Sequence, residues 1–151
     1  MADQAQLDAV RVRRESLYQA LVGLEDALST PIGHRERWRL RVAMAIDHAA
    51  NRVEEHIWET EAFDGLLNQV VDEDPRLCCR ALRLRDDHIE LQKEVCELRG
   101  ALAEIDDAEI AVRGNALRQQ ALEFCGHLAV HRQRGADLIY EAYHVDIGGS
   151  S

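Results

Sequence analysis

Apolar side chains recur at alternating intervals of three and four along four stretches of the chain. The first stripe is Leu7, Val10, Leu17, Leu21, Leu24 and Leu28, with Arg14 set among them. The second is Val42, Ile46, Ala49, Val53, Phe63 and Leu67, interrupted by His56 and Thr60. The third is Leu77, Ala81, Leu84, Leu91, Val95, Leu98 and Leu102, interrupted by His88. The fourth is Leu117, Ala121, Phe124, Leu128, Leu138 and Ala142, interrupted by His131 and Gly135. This period predicts amphipathic helices over about 7–28, 36–67, 76–102 and 117–142. No stretch alternates with period two for long, so no strand is expected.

The breaks fall between the stripes. Ser29-Thr30-Pro31-Ile32-Gly33 ends the first helix, and Asp72-Glu73-Asp74-Pro75 separates the second from the third. Proline suits the first turn of a helix, and acids just before it favour the positive end of the helix dipole. Residues 100–107 form the third break, with Asp106 and Asp107 as candidate caps. Gly114-Asn115 is read either as a kink or as the true start of the last helix. Short links between long helices favour antiparallel neighbours, so the expected fold is all-α, an antiparallel up-down-up-down four-helix bundle. An array of two hairpins, or a dimer sharing helices, uses the same stripes. One domain is expected over residues 1–147, with 148–151 as a flexible tail.

Composition narrows the function. The chain has 151 residues, 46% of them hydrophobic, and a formal net charge of −10. That is one domain with enough apolar matter for a core. The negative balance speaks against nucleic acid, whose phosphates want a positive field. No apolar run reaches the roughly 20 residues of a spanning helix, and the N-terminus lacks a secretory pattern, so a cytoplasmic protein off the membrane is expected. Arg35, Arg37, Arg39 and Arg41 around Trp38 read as a solvated helix face. Cys78, Cys79, Cys96 and Cys125 lack a CxxC pair, and Cys125 reads as a small buried apolar group. A break near residue 102 would set Cys79 level with Cys125 and permit a disulfide or a sulfur-bound zinc. No Ser–His–acid set and no phosphate-cradling glycine loop is found, so no catalytic residue is assigned.

The histidines carry the chemistry. His56, His88 and His131 each interrupt an apolar stripe, in three different helices. One such residue is an ordinary hydrogen-bonded core histidine. Three would be costly to bury without partners. His56 and His88 have their midpoint at position 72, in the Asp72–Pro75 turn, which sets them at one height. His88 has its midpoint with His127 or His131 just past the third break, and a hinge error of two residues moves the level by about 6 Å. Glu59 lies three residues after His56, and His127 four before His131, spacings that share a helix face. His56, Glu59, His88, His127 and His131 are therefore the candidate metal ligands. Nitrogen and oxygen donors suit iron, manganese or zinc.

The segments EEHIWETEAFDGLLNQVVDEDPRL (54–77), LRDDHIEL (84–91) and HLAVHRQRGADLIYEA (127–142) resemble the second, third and fourth helices of the hemerythrin-like, or HHE cation-binding, proteins. The resemblance covers most of the chain. It implies a four-helix bundle, a non-haem di-iron centre, and binding, sensing or reduction of a small oxygen or nitrogen species such as dioxygen, peroxide or nitric oxide. His56 and His88 match that family's second- and third-helix histidines, and His127 or His131 the fourth-helix one. Ser16 stands where the family's first helix supplies a histidine, and Thr60 and Gln92 where carboxylates are expected. In the fourth helix, Arg132 and Arg134 lie near the place of the expected acid. The full di-iron set is thus absent on direct carry-over, and the resemblance implies an altered site, such as a mononuclear one, or a bundle without metal. The alternative function is a metal-free helical interaction protein that self-associates as a homo-oligomer.

Overall fold

The computed structural model describes residues 4–144, and all regular structure among them is helical. Four long helices are α1 (Gln4–Ser29), α2 (Arg35–Glu61), α4 (Cys78–Glu104) and α5 (Ile110–Tyr143). A short helix α3 (Leu66–Glu73) and a 3-10 turn (Pro75–Leu77) join α2 to α4. α1 packs on α2, α2 on α4, α4 on α5, and α5 back on α1, which closes a ring of four. None of the helices is long and apolar enough to cross a membrane. The tail expected at 148–151 lies outside the described residues.

Side-chain contacts set the register. Arg39 of α2 donates to the Leu102 carbonyl (2.7 Å) and pairs with Asp107, and Arg99 of α4 pairs with Asp47. Farther along, Glu61 of α2 meets His88 of α4. Between α4 and α5, Glu94 meets His127 and Asp87 meets Arg134. Between α1 and α5, Arg14 donates to the Arg132 carbonyl, and Arg118 to that of Thr30, just past α1.

Two boundaries differ from the sequence reading. The second helix stops at Glu61 instead of running to Leu67, because Ala62 turns extended (ψ 157°). Gly65 makes the reversal possible, since a β-carbon there would stand 2.6–2.8 Å from the carbonyl oxygens of Glu59, Thr60 and Ala62. The freed Ala62 carbonyl accepts from Asn68 Nδ2, and that of Asp64 from Gln69 Nε2. Phe63 falls in this break and is 97% exposed, while Leu67 is recovered for the core by α3. The last helix begins at Ile110 and runs on through Gly114, so Gly114-Asn115 is not its start. Asp106 Oδ1 accepts from Glu109 N, capping the turn before α5.

Two apolar clusters fill the interior. The larger joins Leu17–Leu28, Trp38–Val53, Leu91–Ile105 and Ile110–Leu128 positions, with Trp38 and Phe124 as its largest members. The smaller joins Leu7, Leu67, Val70, Leu77, Ala81, Leu84, Leu138 and Ile139 at the α3 end. All four cysteines are free thiols. The break centres on residues 105–109, so Cys79 and Cys125 are not level. Cys79 is exposed and Cys125 is buried, and burial pushes the Cys125 thiol up to about 12.

Candidate metal centre

On each long helix a polar residue stands between the two apolar clusters. On α1 it is Arg14, between Leu7 and Leu17; on α4 it is His88, between Leu84 and Leu91; on α5 it is His131, between Leu128 and Leu138. On α2 it is His56, three residues past Val53. Because each occupies a stripe position, the packing that buries the leucines also turns these side chains inward. His88 and His131 are buried and His56 is half-buried.

The three rings meet. One nitrogen of each lies within 4.8 Å of the other two. His131 Nε2 stands 3.1 Å from His56 Nε2 and 3.1 Å from His88 Nε2. The ring centroids are 4.7–5.3 Å apart, with steep interplanar angles.

The outer nitrogens fix the tautomers. His88 Nδ1 donates to Glu61 Oε2 (2.9 Å), and His131 Nδ1 donates to Asp87 Oδ2 (3.0 Å). A carboxylate only accepts, so the ring proton of each neutral imidazole sits on Nδ1. Nε2 of both rings then carries a lone pair and no hydrogen. His56 is able to donate its own Nε2 proton to His131, but no proton is left for the 3.1 Å approach of His88 to His131. Two electron pairs face each other there.

The surroundings keep that arrangement neutral. Burial lowers the pKa of His56 well below the usual imidazole value, and the neighbouring His131, His88, Arg14 and Arg13 lower it further. Burial also lowers His88, against the opposing pull of Glu61, and brings His131 down to about 4 despite Asp87. At Asp87 burial acts to raise the pKa, but hydrogen bonds from His131 and Arg134 outweigh it and the carboxyl is lowered overall. Arg134 Nη1 holds both Asp87 oxygens at 2.8 and 3.0 Å. On the other side Arg85 approaches Glu61 (3.9 Å) and donates to Asn68 Oδ1 (2.7 Å).

Two of the three nitrogen separations suit a single ion, and the third is bounded only by the 4.8 Å within which all three nitrogens lie. Two nitrogens each about 2.1 Å from one zinc stand roughly 3.0 Å apart at a right angle and 3.4 Å apart in a tetrahedron. The two 3.1 Å separations fall in that interval. Imidazoles whose far nitrogens donate to carboxylates are the usual supporting arrangement of metal-bound histidines. Among the described residues no second group of ligands accompanies these three rings. Glu59 turns away to α1, where it pairs with Arg13 (2.9 Å). His127 lies on the surface, its side chain 62% exposed, and pairs with Glu94 at 2.8 Å. Thr60 donates its hydroxyl to the His56 carbonyl (2.8 Å), and Gln92 is exposed. Of the five candidate ligands, the structure gathers His56, His88 and His131 and leaves Glu59 and His127 outside.

The carboxylates that hold the outer nitrogens, Glu61 and Asp87, are not among the candidate ligands read from the sequence. Glu61 is a poor face match to His56 because it serves His88 on the neighbouring helix. Asp87 adjoins His88 in sequence and serves His131 instead. Comparison of the chain with family models, with curated proteins and with solved structures finds no match.

Proposed function

We propose that this chain is a metal-binding helical protein that holds one divalent transition ion on His56, His88 and His131, within an antiparallel up-down-up-down four-helix bundle. The observation that carries the reading is the 3.1 Å approach of His88 Nε2 to His131 Nε2 while both Nδ1 protons are committed to Glu61 and Asp87. A cation between the nitrogens converts a repulsive contact into shared coordination, and burial disfavours a proton in that role. The bundle topology is supported by contacts such as Arg39 to Leu102 and Glu61 to His88, in which numbers rise on α2 as they fall on α4.

The hemerythrin-like resemblance agrees in placing a histidine on each of three helices, but the donors here suit one non-haem iron, manganese or zinc and not a di-iron pair. A bound ion would act as a Lewis acid toward a small oxygen or nitrogen species in its open position. The protein's own residues would orient the rings through Glu61 and Asp87, and the leucines above and below would keep bulk water out.

Metal titration of the apo protein tests this, with iron(II) added anaerobically and manganese(II) and zinc(II) in parallel. One ion per chain is expected. Replacing His88 or His131 by Gln should weaken binding at least about 100-fold, and Asp87→Asn about 10- to 100-fold, as for other outer partners of metal-bound histidines. Failure of all three ions to bind, or binding unaltered by the His88 and His131 replacements, would overturn the reading. A second reading, a metal-free protein that self-associates, rests on Trp58 and Phe63, which are 76% and 97% exposed.

A further inference from the structure

Along the bundle axis the three rings have an apolar cluster on either side, and His88 and His131 are buried. An ion bound for them enters from the flank, where the half-buried His56 is the ring that solvent reaches. His56 forms part of the wall of a surface groove between α1 and α2, about 170 Å³ in volume. The same ring and Leu17 also line a small inner cavity, about 50 Å³, that His88 and His131 share. Ring and leucine are thus the partition between groove and interior. On the α1 side the groove is lined by the small Ser16, and on the α2 side by Glu55 and Glu59, four apart on one helix face. Each carboxylate is held by an arginine that also lines the groove, Glu55 by Arg52 and Glu59 by Arg13 (2.9 Å). Both acids remain open to water.

A second acid-lined groove, between α4 and α5, is larger at about 440 Å³ and holds Glu90, Glu94 and His127, but none of the three rings lines it. Asp87, clamped by Arg134 in its wall, meets His131 from that side. We propose that the α1–α2 groove is the loading route of the metal site, with Glu55 and Glu59 as transit ligands that take a hydrated divalent cation from solvent and pass it to His56. The inference rests on the metal reading and names how that same site is filled. Carboxylate oxygens suit the first contact with a hydrated ion, and imidazole nitrogens the final one. Exposed ion pairs are weak, so an arriving cation displaces Arg13 and Arg52 at little cost. The two arginines balance the two acids, so the mouth does not repel a cation. With the acids removed it would, because two guanidinium groups would remain.

The test mixes apo protein with cobalt(II) in a stopped-flow instrument and follows visible absorption, after equilibrium stoichiometry has been measured in every variant. The double replacement Glu55→Gln with Glu59→Gln should keep one cobalt per chain and slow association about tenfold or more, the lower end of what charges at a cleft mouth do to on-rates. Ser16→Leu, which narrows the groove without touching charge or ligand, should slow association and dissociation by the same factor and leave affinity unchanged. Glu90→Gln with Glu94→Gln, in the α4–α5 groove, should load at the wild-type rate. If Ser16→Leu does not fold, the two carboxylate pairs still carry the comparison, since all four acids lie where water reaches them. One cobalt per chain with equal association rates in all variants, or with loading slowed only by the α4–α5 replacements, would overturn the route and leave the metal reading standing. Absence of bound cobalt in folded wild type at equilibrium would overturn both.

Discussion

The layer around Phe124 and the layer around His131 lie on the same helices and obey opposite rules. At Phe124 every neighbour in the larger cluster is apolar, and the side chain is 0% exposed. Just under two turns farther along α5, His131 is similarly enclosed at 3% exposure, but it meets two other imidazoles, and Asp87 accepts from its Nδ1. The apolar layer is complete in itself, since dispersion and the hydrophobic effect need no particular partner. The polar layer is complete only with respect to its outer nitrogens. Its inner nitrogens crowd together, an arrangement that a structural histidine layer would not need. Apolar packing makes up the first layer and polar pairing the second.

Truncation separates them most sharply. Phe124→Ala should cost about 3–5 kcal/mol in urea unfolding, the usual range for emptying a fully buried aromatic site. Metal stoichiometry of the folded fraction should stay at the wild-type value. A loss below about 1 kcal/mol would mean that the larger cluster does not hold the fold as its burial implies.

Acid should strike the other layer. His131 titrates at about 4 in the folded protein, against an unfolded value near 6.5. Between those values the unfolded chain binds the proton that the folded chain refuses, so stability falls as pH falls through that window. For His131 alone the full effect is on the order of 3 kcal/mol, at 1.36 kcal/mol per pKa unit. His88 and His56 are shifted in the same direction and add to it. Apo protein followed by thermal denaturation from pH 7 to pH 4 should show the decline, and His131→Leu should flatten it. Equal slopes in the two proteins would place the acid sensitivity elsewhere. Loaded metal should hold stability up to lower pH, because the ion competes with protons for the same nitrogens.

The sequence reveals these two layers unequally. The apolar stripes are periodic and long, so four helices and the core residues Val42, Phe124 and Leu128 are legible from spacing alone. The α2–α3 break is not, because Phe63 and Leu67 continue the period across it, and only the close approach of Gly65 to carbonyl oxygens forces the turn. His56, His88 and His131 are legible because each interrupts a stripe. Their carboxylate partners are not. Spacing along one helix says which residues share a face, but it does not say which side chain of the next helix lies across from them. Glu59 shares a face with His56 and reaches Arg13 on α1, while Glu61, off that face, reaches His88 on α4. Arg14 is visible as an oddity of the first stripe, and only the third dimension sets it beside the imidazoles.

His127 offers the finest test of the boundary between the layers. It lies four residues before His131, yet four residues overshoot a helical turn by roughly 40°. That offset carries its ring from the interior to the rim of the α4–α5 contact, where Glu94 Oε2 sits 2.8 Å from Nδ1 and solvent screens the pair. Exposed ion pairs of this kind contribute about 0–1 kcal/mol. His127→Gln should therefore change stability by less than about 1 kcal/mol and leave metal affinity unchanged, measured in the same titration that His131→Gln abolishes. A loss of affinity in His127→Gln comparable to that in His131→Gln would mean that the ring swings inward to join the others, and the line between surface and site would have to be drawn one turn farther along α5.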